Sequence, residues 1–254
     1  MQYPATMRDR VSAEEWQARV ELAALYRLVA LYGWDDAIFT HLSLRVPGND
    51  RHFLINQYGL FFEEMTASSL VKIDLDGNLV DPTPQPVNKA GFVIHSALHI
   101  ARDDAHCVMH LHSVTGVAVA AQRNGLRPIS QTALIVLPDL AYHDYEGIAL
   151  DLDERQRIVA DLGSKNMMLL RNHGTLAVGP TVAATWLRMY LLERACAQQV
   201  AAQSGGSDAL LDAPDAAREE VARVMRGPGA ASTPDLAWAG FLRKLDRVSP
   251  GYRD

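Results

Sequence analysis

The sequence lacks the features that mark several large classes of protein. It has two cysteines in 254 residues, Cys107 and Cys196, and both lie in apolar surroundings. We therefore expect buried, reduced thiols and not a disulfide framework. No apolar run approaches the ~20 residues that cross a bilayer. The first residues carry charges where a signal peptide needs an apolar run. These absences predict a cytoplasmic protein with no membrane partner.

Positive charge is also scarce. Lysine and arginine total 24 against 30 aspartate and glutamate, a net charge of −6. Proteins that bind a phosphate backbone use clustered lysine and arginine to release counterions, so nucleic acid is not expected as a partner. The sequence is 48% hydrophobic and 21% charged, which is typical of a globular protein that buries its own core.

Helical and strand patterns alternate along most of the chain. A Ser-x-x-Glu capping box at Ser12 precedes apolar residues at three- and four-residue steps, which predicts an amphipathic helix. The predicted helices cover residues 12–31, 89–101, 114–123, 153–162 and 181–203, and the predicted strands cover 38–46, 51–56, 70–74, 105–111, 133–137 and 167–170. Residues 81–86 and 139–147 are predicted loops. This alternation favours a three-layer α/β/α fold with a central mixed or antiparallel sheet.

The segment SGGS at 204–207 interrupts the helical pattern. Two further helices are predicted beyond it, over residues 209–224 and 236–245. We therefore divide the chain into a main domain, residues 1–203, and a C-terminal helical extension, residues 204–254. The extension is expected to pack on a neighbouring subunit or to cover the pocket.

Two histidines at the end of a predicted strand form the strongest local signal. His110 and His112 are two residues apart, so their side chains point to the same side of the strand. His173 follows another predicted strand, and Gly174 beside it allows a close backbone approach. Three histidines with open positions can bind a divalent metal ion. Taken alone, a His-x-His pair is more often structural.

Five motifs in order resemble those of the class II aldolase/adducin family. They are FTHLS at 39–43, VKIDLDG at 71–77, AGFVIH at 90–95, VMHLH at 108–112 and LRNHG at 170–174, and the resemblance covers residues 15–203. It implies a class II aldolase-like fold and a metal ion, zinc or iron before manganese or cobalt. The implied metal ligands are His110, His112 and His173. It also implies a homotetramer with active sites near the subunit interfaces.

The sequence departs from the sugar-phosphate aldolases of that family at several positions. Gly91 stands where those enzymes carry a catalytic glutamate. Their phosphate-binding residues are replaced by His41, Tyr58 and Lys89, so a phosphorylated substrate is not expected. By family position, His41, Tyr58 and His95 are candidate substrate contacts. Lys89, at a predicted helix start, is a candidate anchor for a substrate carboxylate.

Loss of carbon dioxide or cleavage of a carbon–carbon bond leaves a carbanion that a proton donor must quench. Tyr142, His143 and Tyr145 are candidate catalytic donors in the predicted loop, although such side chains can also simply pack there.

The resemblance thus favours a divalent-metal-dependent carbon–carbon lyase, a decarboxylase or an aldolase-like enzyme. Its expected substrate is a small non-phosphorylated hydroxy or oxo acid, aromatic acids included. Two alternatives remain open. A non-haem iron oxygenase acting on an aromatic 2-oxo or hydroxy acid would use the same three histidines. A non-catalytic adducin-like scaffold would need none of them.

Overall fold

The computed structural model describes residues 6–48, 51–80, 89–147, 153–225, 227 and 232–254. A seven-stranded mixed sheet forms its centre, consistent with the expected α/β class. The strands are β1 (His41–Arg45), β2 (His52–Ile55), β3 (Val71–Asp74), β4 (Cys107–Leu111), β5 (Leu140–His143), β6 (Met167–Leu170) and β7 (Gly174–Gly179). Their order is β3-β2-β1-β4-β7-β6-β5. The β5–β6 pair is parallel, and the other neighbouring pairs are antiparallel.

Helices cover both faces of this sheet. They are α1 (Met7–Arg10), α2 (Ala13–Leu31), α3 (Lys89–Ala101), α4 (Val114–Ala120), α5 (Gln131–Val136), α6 (Glu154–Leu162), α7 (Val182–Gln203), α8 (Asp215–Met225) and α9 (Thr233–Val248). The two long helices begin at side-chain caps, because Ser12 accepts from the Glu15 amide and Thr181 from the Ala184 amide, each at 3.1 Å. None of the described helices is both long enough and apolar enough to span a bilayer.

Alternating side chains of β4 separate the two faces. Cys107, Met109 and Leu111 belong to the large apolar cluster that also contains residues of α2, α7 and α9. Val108 belongs to a second cluster with residues of α3 and α6. Because strand residues alternate between faces, His110 points to the same side as Val108. Cys107 and Cys196 are free and buried.

Two of the predicted local structures are wrong, and one strand was missed. Residues 133–136 lie in helix α5 and Leu137 begins a short 3₁₀ helix, so this segment is not a strand, and the predicted loop 139–147 contains strand β5. Strand β7 was not predicted at all. A short apolar run does not reveal by periodicity whether it is strand or helix, and in this case the Ser130 cap on the Ala133 amide at 3.1 Å starts a helix. The predicted loop 81–86 lies outside the described residues.

The C-terminal residues pack on their own chain. Trp238 and Leu245 of α9 and the nearby Tyr252 are buried in the same apolar cluster as α2 and α7. The Ala67 amide donates to the Tyr252 carbonyl at 3.0 Å, and the Ser68 amide donates to the Asp254 carbonyl at 2.9 Å. Helix α9 and the last residues therefore complete the core on the α7 side of the sheet.

Candidate metal centre

Three histidine rings meet where strands β4 and β7 lie side by side. His110 is near the end of β4, His112 follows that strand, and His173 lies in the turn between β6 and β7. One ligand atom from each ring lies within 4.8 Å of the others. The ring centroids are 4.7–4.8 Å apart in all three pairs. His112 and His173 are partly exposed, so one side of this histidine triad faces solvent.

The hydrogen bonds of the triad determine which ring nitrogens carry protons. Nδ1 of His110 lies 3.0 Å from the Thr175 carbonyl oxygen, and Nδ1 of His112 lies 3.1 Å from Asp36 Oδ2. A carbonyl and a carboxylate only accept, so both Nδ1 atoms are donors. In the neutral rings the two Nε2 atoms are then bare acceptors, and they face each other at 3.1 Å.

Two facing lone pairs repel unless a cation lies between them. Burial and the neighbouring imidazoles hold the pKa of His110 well below its usual range, which favours the neutral, metal-binding form. Burial is the main cause that lowers the pKa of His173 to about 4, and the neighbouring His112 adds to it. This donor set fits a divalent metal ion, and three imidazoles suit zinc, iron or cobalt.

A glycine is required where β7 begins. A Cβ atom on Gly174 would lie 2.2 Å from the Leu111 carbonyl oxygen. It would also lie 3.2 Å from the His112 ring and 3.3 Å from the His110 ring. Asn172, two residues earlier, adopts a left-handed backbone with φ 56°. This tight turn brings His173 against the end of β4.

A second pair of histidines lies beside the triad. His41 of β1 is the register partner of His110 in β4, and its ring centroid lies 5.8 Å from that of His110. The His95 ring of α3 lies 5.0 Å from His41. Both ring nitrogens of His41 and Nε2 of His95 are buried without a hydrogen-bond partner among the described residues. Burial lowers the pKa of His41 to about 4.

A buried hydrogen-bond chain determines the tautomer of His95. Nδ1 of His99 lies 2.7 Å from the Ala105 carbonyl oxygen, which can only accept. Nε2 of His99 therefore accepts from the Ser43 hydroxyl at 2.7 Å. The same hydroxyl oxygen lies 2.6 Å from Nδ1 of His95, which donates to it. The chain leaves Nε2 of His95 as a bare acceptor next to His41.

The structure does not bring the three predicted proton donors together. Tyr142 and His143 are neighbours in β5, so their side chains point to opposite faces of the sheet. The Tyr142 hydroxyl accepts from the Leu126 amide at 3.1 Å, and the Arg171 guanidinium lies 4.3 Å from the centre of its ring. Tyr142 thus has a packing role.

The other two candidate donors, His143 and Tyr145, have different surroundings. His143 is buried, with Nδ1 2.7 Å from Asp161 Oδ2 and Nε2 3.6 Å from Glu154 Oε1. Tyr145 is 54% exposed, and its ring centroid lies 6.3 Å from that of His173. Tyr145 is therefore an exposed tyrosine whose ring lies beside His173.

The structure does not place the two remaining predicted substrate contacts, Tyr58 and Lys89, beside the triad. Tyr58 lies in the turn after β2, and none of the described ring contacts or hydrogen bonds joins it to the triad. Lys89 begins helix α3, but its side chain lies outside the described residues.

An open cleft of about 550 Å³ lies next to His173. It is bounded by the turn that carries His173, by the end of α4 and by the residues after β5. Its polar lining residues are Gln122, Arg123, Asp144, Tyr145, Arg171 and Asn172. Arg171 was not predicted as a site residue; its guanidinium donates to the Gln122 carbonyl at 2.8 Å. The cleft thus has two arginines, Arg123 and Arg171, among its lining residues.

A mixed sheet lies between helical layers, and three histidines converge at the end of two of its central strands. The sequence model of the class II aldolase and adducin N-terminal domain matches residues 20–200. The chain therefore belongs to the class II aldolase and adducin family.

Individual relatives agree with this assignment. The crystal structure of an aldolase II superfamily protein from Pseudomonas syringae is 51% identical, with a TM-score of 0.92 over 98% of this chain and 100% of that one. An L-fuculose 1-phosphate aldolase from Glaciozyma antarctica is 26% identical, with a TM-score of 0.83 over 100% and 97%. Alpha-adducin of Mus musculus is 42% identical over 92% of this chain and 33% of its own length.

Proposed function

We propose that this protein is a divalent-metal-dependent carbon–carbon lyase acting on a small, non-phosphorylated hydroxy or oxo acid. The observation that carries the proposal is the pair of bare Nε2 atoms of His110 and His112, 3.1 Å apart and completed by His173. With both rings neutral, the Nδ1 protons point to Thr175 and Asp36, so the two Nε2 lone pairs are open to an ion.

His110, His112 and His173 would hold the ion, with zinc or iron the expected metal. A bound divalent cation supplies Lewis-acid stabilisation of the enolate or phenolate that forms when a carbon–carbon bond breaks. The Thr175 carbonyl and the Asp36 carboxylate orient the His110 and His112 rings through their Nδ1 protons.

The substrate side differs from that of a sugar-phosphate aldolase. Gly91 has no side chain where those enzymes carry a carboxylate, so a base at that position is ruled out. The bare Nε2 of His95 and the unpartnered ring of His41 would accept hydrogen bonds from a substrate hydroxyl. Tyr145, the exposed phenol near His173, is the favoured proton donor of the three proposed. Tyr58 and Lys89 stay predictions.

An acidic substrate agrees with the cleft beside the triad. Arg171 and Arg123 both line it, and guanidinium groups bind carboxylates through paired hydrogen bonds. We also propose the homotetramer that the family resemblance implies, with active sites near subunit interfaces. Light scattering during gel filtration would then report four times the 27.9 kDa chain mass, and a monomer would contradict the assembly.

The adducin relative supports a second candidate, a non-catalytic scaffold. Alpha-adducin matches 92% of this chain at 42% identity, which exceeds the identity to the fuculose phosphate aldolase. A scaffold does not need a metal ion, so the triad would bind none, or its loss would leave the protein's function unchanged.

A substrate screen distinguishes the candidates. The protein is loaded separately with zinc, ferrous iron, manganese and cobalt and is incubated with hydroxy and oxo acids, aromatic acids included. Carbon dioxide, carbonyl products and dioxygen uptake are measured, with His110→Ala as the inactive variant and the exposed His106→Ala as the matched control. Product release without dioxygen uptake, lost only in His110→Ala, supports the lyase. Dioxygen uptake that requires iron would instead favour the oxygenase over the lyase.

A further inference from the structure

A buried carboxyl group lies on the opposite side of the sheet from His110. Glu193 of α7 is 1% exposed. Its Oε1 accepts from the Thr175 hydroxyl at 2.6 Å, and its Oε2 accepts from the Ser113 hydroxyl. No cationic side chain of the described residues forms an ion pair with it. Burial of a carboxyl without a cation is costly, so this position requires a physical reason.

The two hydroxyl groups belong to the two chain segments that carry the triad. Ser113 directly follows His112, and Thr175 is two residues after His173. The carbonyl of Thr175 also accepts the Nδ1 proton of His110 at 3.0 Å. The Glu193 carboxyl group is thus hydrogen-bonded to the segments that carry His112 and His173. Through Thr175 it is also linked to the His110 ring.

The space around this carboxyl group is closely filled. A Cβ atom on Gly116 would lie 2.6 Å from Thr175 Cγ2, 2.7 Å from Ser113 Oγ and 3.2 Å from Glu193 Oε1. The Gly116 amide donates to Ser113 Oγ at 3.0 Å, so the hydroxyl of Ser113 has its single proton for Glu193. The two hydroxyls therefore cannot move apart without breaking a buried hydrogen bond.

We propose that Glu193 is a positioning residue for the proposed metal site. By accepting from Ser113 and Thr175 at once, it sets the separation of the His112 and His173 segments before an ion binds. A preorganised ligand set binds its ion more tightly, because less ordering is required on binding. The inference rests on the proposed function, since it requires that the triad binds a metal ion.

The test is the affinity of the apoprotein for Zn²⁺, measured by competition with a chromophoric chelator. Glu193→Gln keeps the side-chain shape but replaces one acceptor oxygen with a donor, so it accepts from one hydroxyl only. Thr175→Val removes the hydroxyl that donates to Glu193 Oε1 and keeps the backbone carbonyl that accepts from His110. Thr185→Val is the matched control, because Thr185 is also buried against β4 but donates to Thr181 of its own helix at 2.8 Å.

We expect Glu193→Gln and Thr175→Val each to weaken Zn²⁺ binding by about 10-fold or more. The double variant should lose less than the two single effects combined, because both substitutions act on the same buried hydrogen-bond set. Thr185→Val should stay within twofold of the wild type. The absorption bands of bound Co²⁺ should shift in the first two variants and not in the control.

The outcomes separate this inference from the proposed function. Wild-type protein that binds no Zn²⁺ overturns the metal site itself. Wild-type protein that binds Zn²⁺, together with Glu193→Gln and Thr175→Val within twofold of it, overturns the positioning role alone. If Glu193→Gln does not fold, the comparison of Thr175→Val with Thr185→Val decides the matter.

Discussion

Asp36 accepts a hydrogen bond from Nδ1 of His112 at 3.1 Å, although 76 residues separate them in the chain. Asp36 lies in the turn between α2 and β1, where Ala37 and Thr40 both have positive φ angles of 50° and 65°. This unusual backbone brings the carboxylate to the imidazole. A carboxylate behind a histidine fixes its tautomer and increases its basicity toward a metal ion.

Replacement of Asp36 by asparagine should therefore weaken metal binding. We expect Asp36→Asn to raise the dissociation constant for Zn²⁺ about 10-fold, because the amide can present a donor to Nδ1 and no longer selects the Nε2-binding tautomer. Asp35→Asn is the neighbouring control. Equal affinities of the two variants in a chelator competition would show that Asp36 has no such role.

Gly174 should be intolerant of a side chain. Gly174→Ala places a Cβ atom 2.2 Å from a backbone oxygen, and we expect it to lower the free energy of unfolding by about 3 kcal/mol or more. Gly240→Ala is a suitable control, because Gly240 lies in α9 with its nearest atom at 3.7 Å, and alanine favours helix by about 0.5–1 kcal/mol. Urea unfolding of both variants measures the difference. A Gly174→Ala protein as stable as the wild type would contradict the close contact of β7 with β4.

The buried histidine chain should make stability depend on pH. Burial lowers the pKa of His99 to about 3, against about 6.5 for an unfolded chain. Between those two pH values the unfolded state binds more protons, so the free energy of unfolding falls as the pH falls through this window. His99 alone contributes up to about 1.4 kcal/mol per pH unit. Urea titrations of the metal-free wild type and His99→Asn between pH 7 and pH 5 should give a smaller slope for the variant.

Ring-nitrogen spectra provide an independent check of the same chain. In ¹⁵N-histidine-labelled protein at pH 5, His95 and His99 should both appear as neutral Nδ1–H tautomers, because the chain ends at the Ala105 carbonyl. A protonated His99, or an Nε2–H tautomer of His95, would contradict the assigned donors and acceptors.

The C-terminal residues should contribute to the stability of the whole fold. Tyr252 is fully buried, and its hydroxyl donates to Asp246 at 2.7 Å. We expect Tyr252→Ala to cost about 3–5 kcal/mol and Tyr252→Phe, which keeps the ring, about 1 kcal/mol. Urea unfolding of the two variants and the wild type would measure both differences in the free energy of unfolding. An alanine variant within about 0.5 kcal/mol of the wild type would indicate that the C-terminal residues are a separate unit.

The helices were predictable where local signals agree. In α2 and α7, a side-chain cap coincides with a long apolar pattern, and both helices lie within one or two residues of the predicted bounds. The strands of the central sheet were harder. Strand β7 begins and ends with glycine and is buried along its whole length, so it shows no alternation of polar and apolar residues. Its stability comes from pairing with β4 and β6, which no local pattern reveals.

The same distinction applies to the candidate metal centre. His110 and His112 could be predicted because a spacing of two residues at the end of a strand is a local property. Asp36, Ser43 and Glu193 could not, because each meets its partner through chain folding over tens of residues. The Thr175 carbonyl is a backbone group and has no signature in the sequence at all. The His110–His112 pair is thus encoded locally, whereas its supporting hydrogen bonds depend on the complete fold.

Metal content tests the central claim most directly. The protein is purified without added metal or chelator, and its bound metal is measured by elemental analysis beside His110→Ala, His173→Ala and the exposed control His106→Ala. We predict near-stoichiometric zinc or iron in the wild type and the control, and loss of the metal in the two triad variants. No metal in the wild type, and none taken up on reconstitution, would contradict the metal-dependent lyase and favour the adducin-like scaffold.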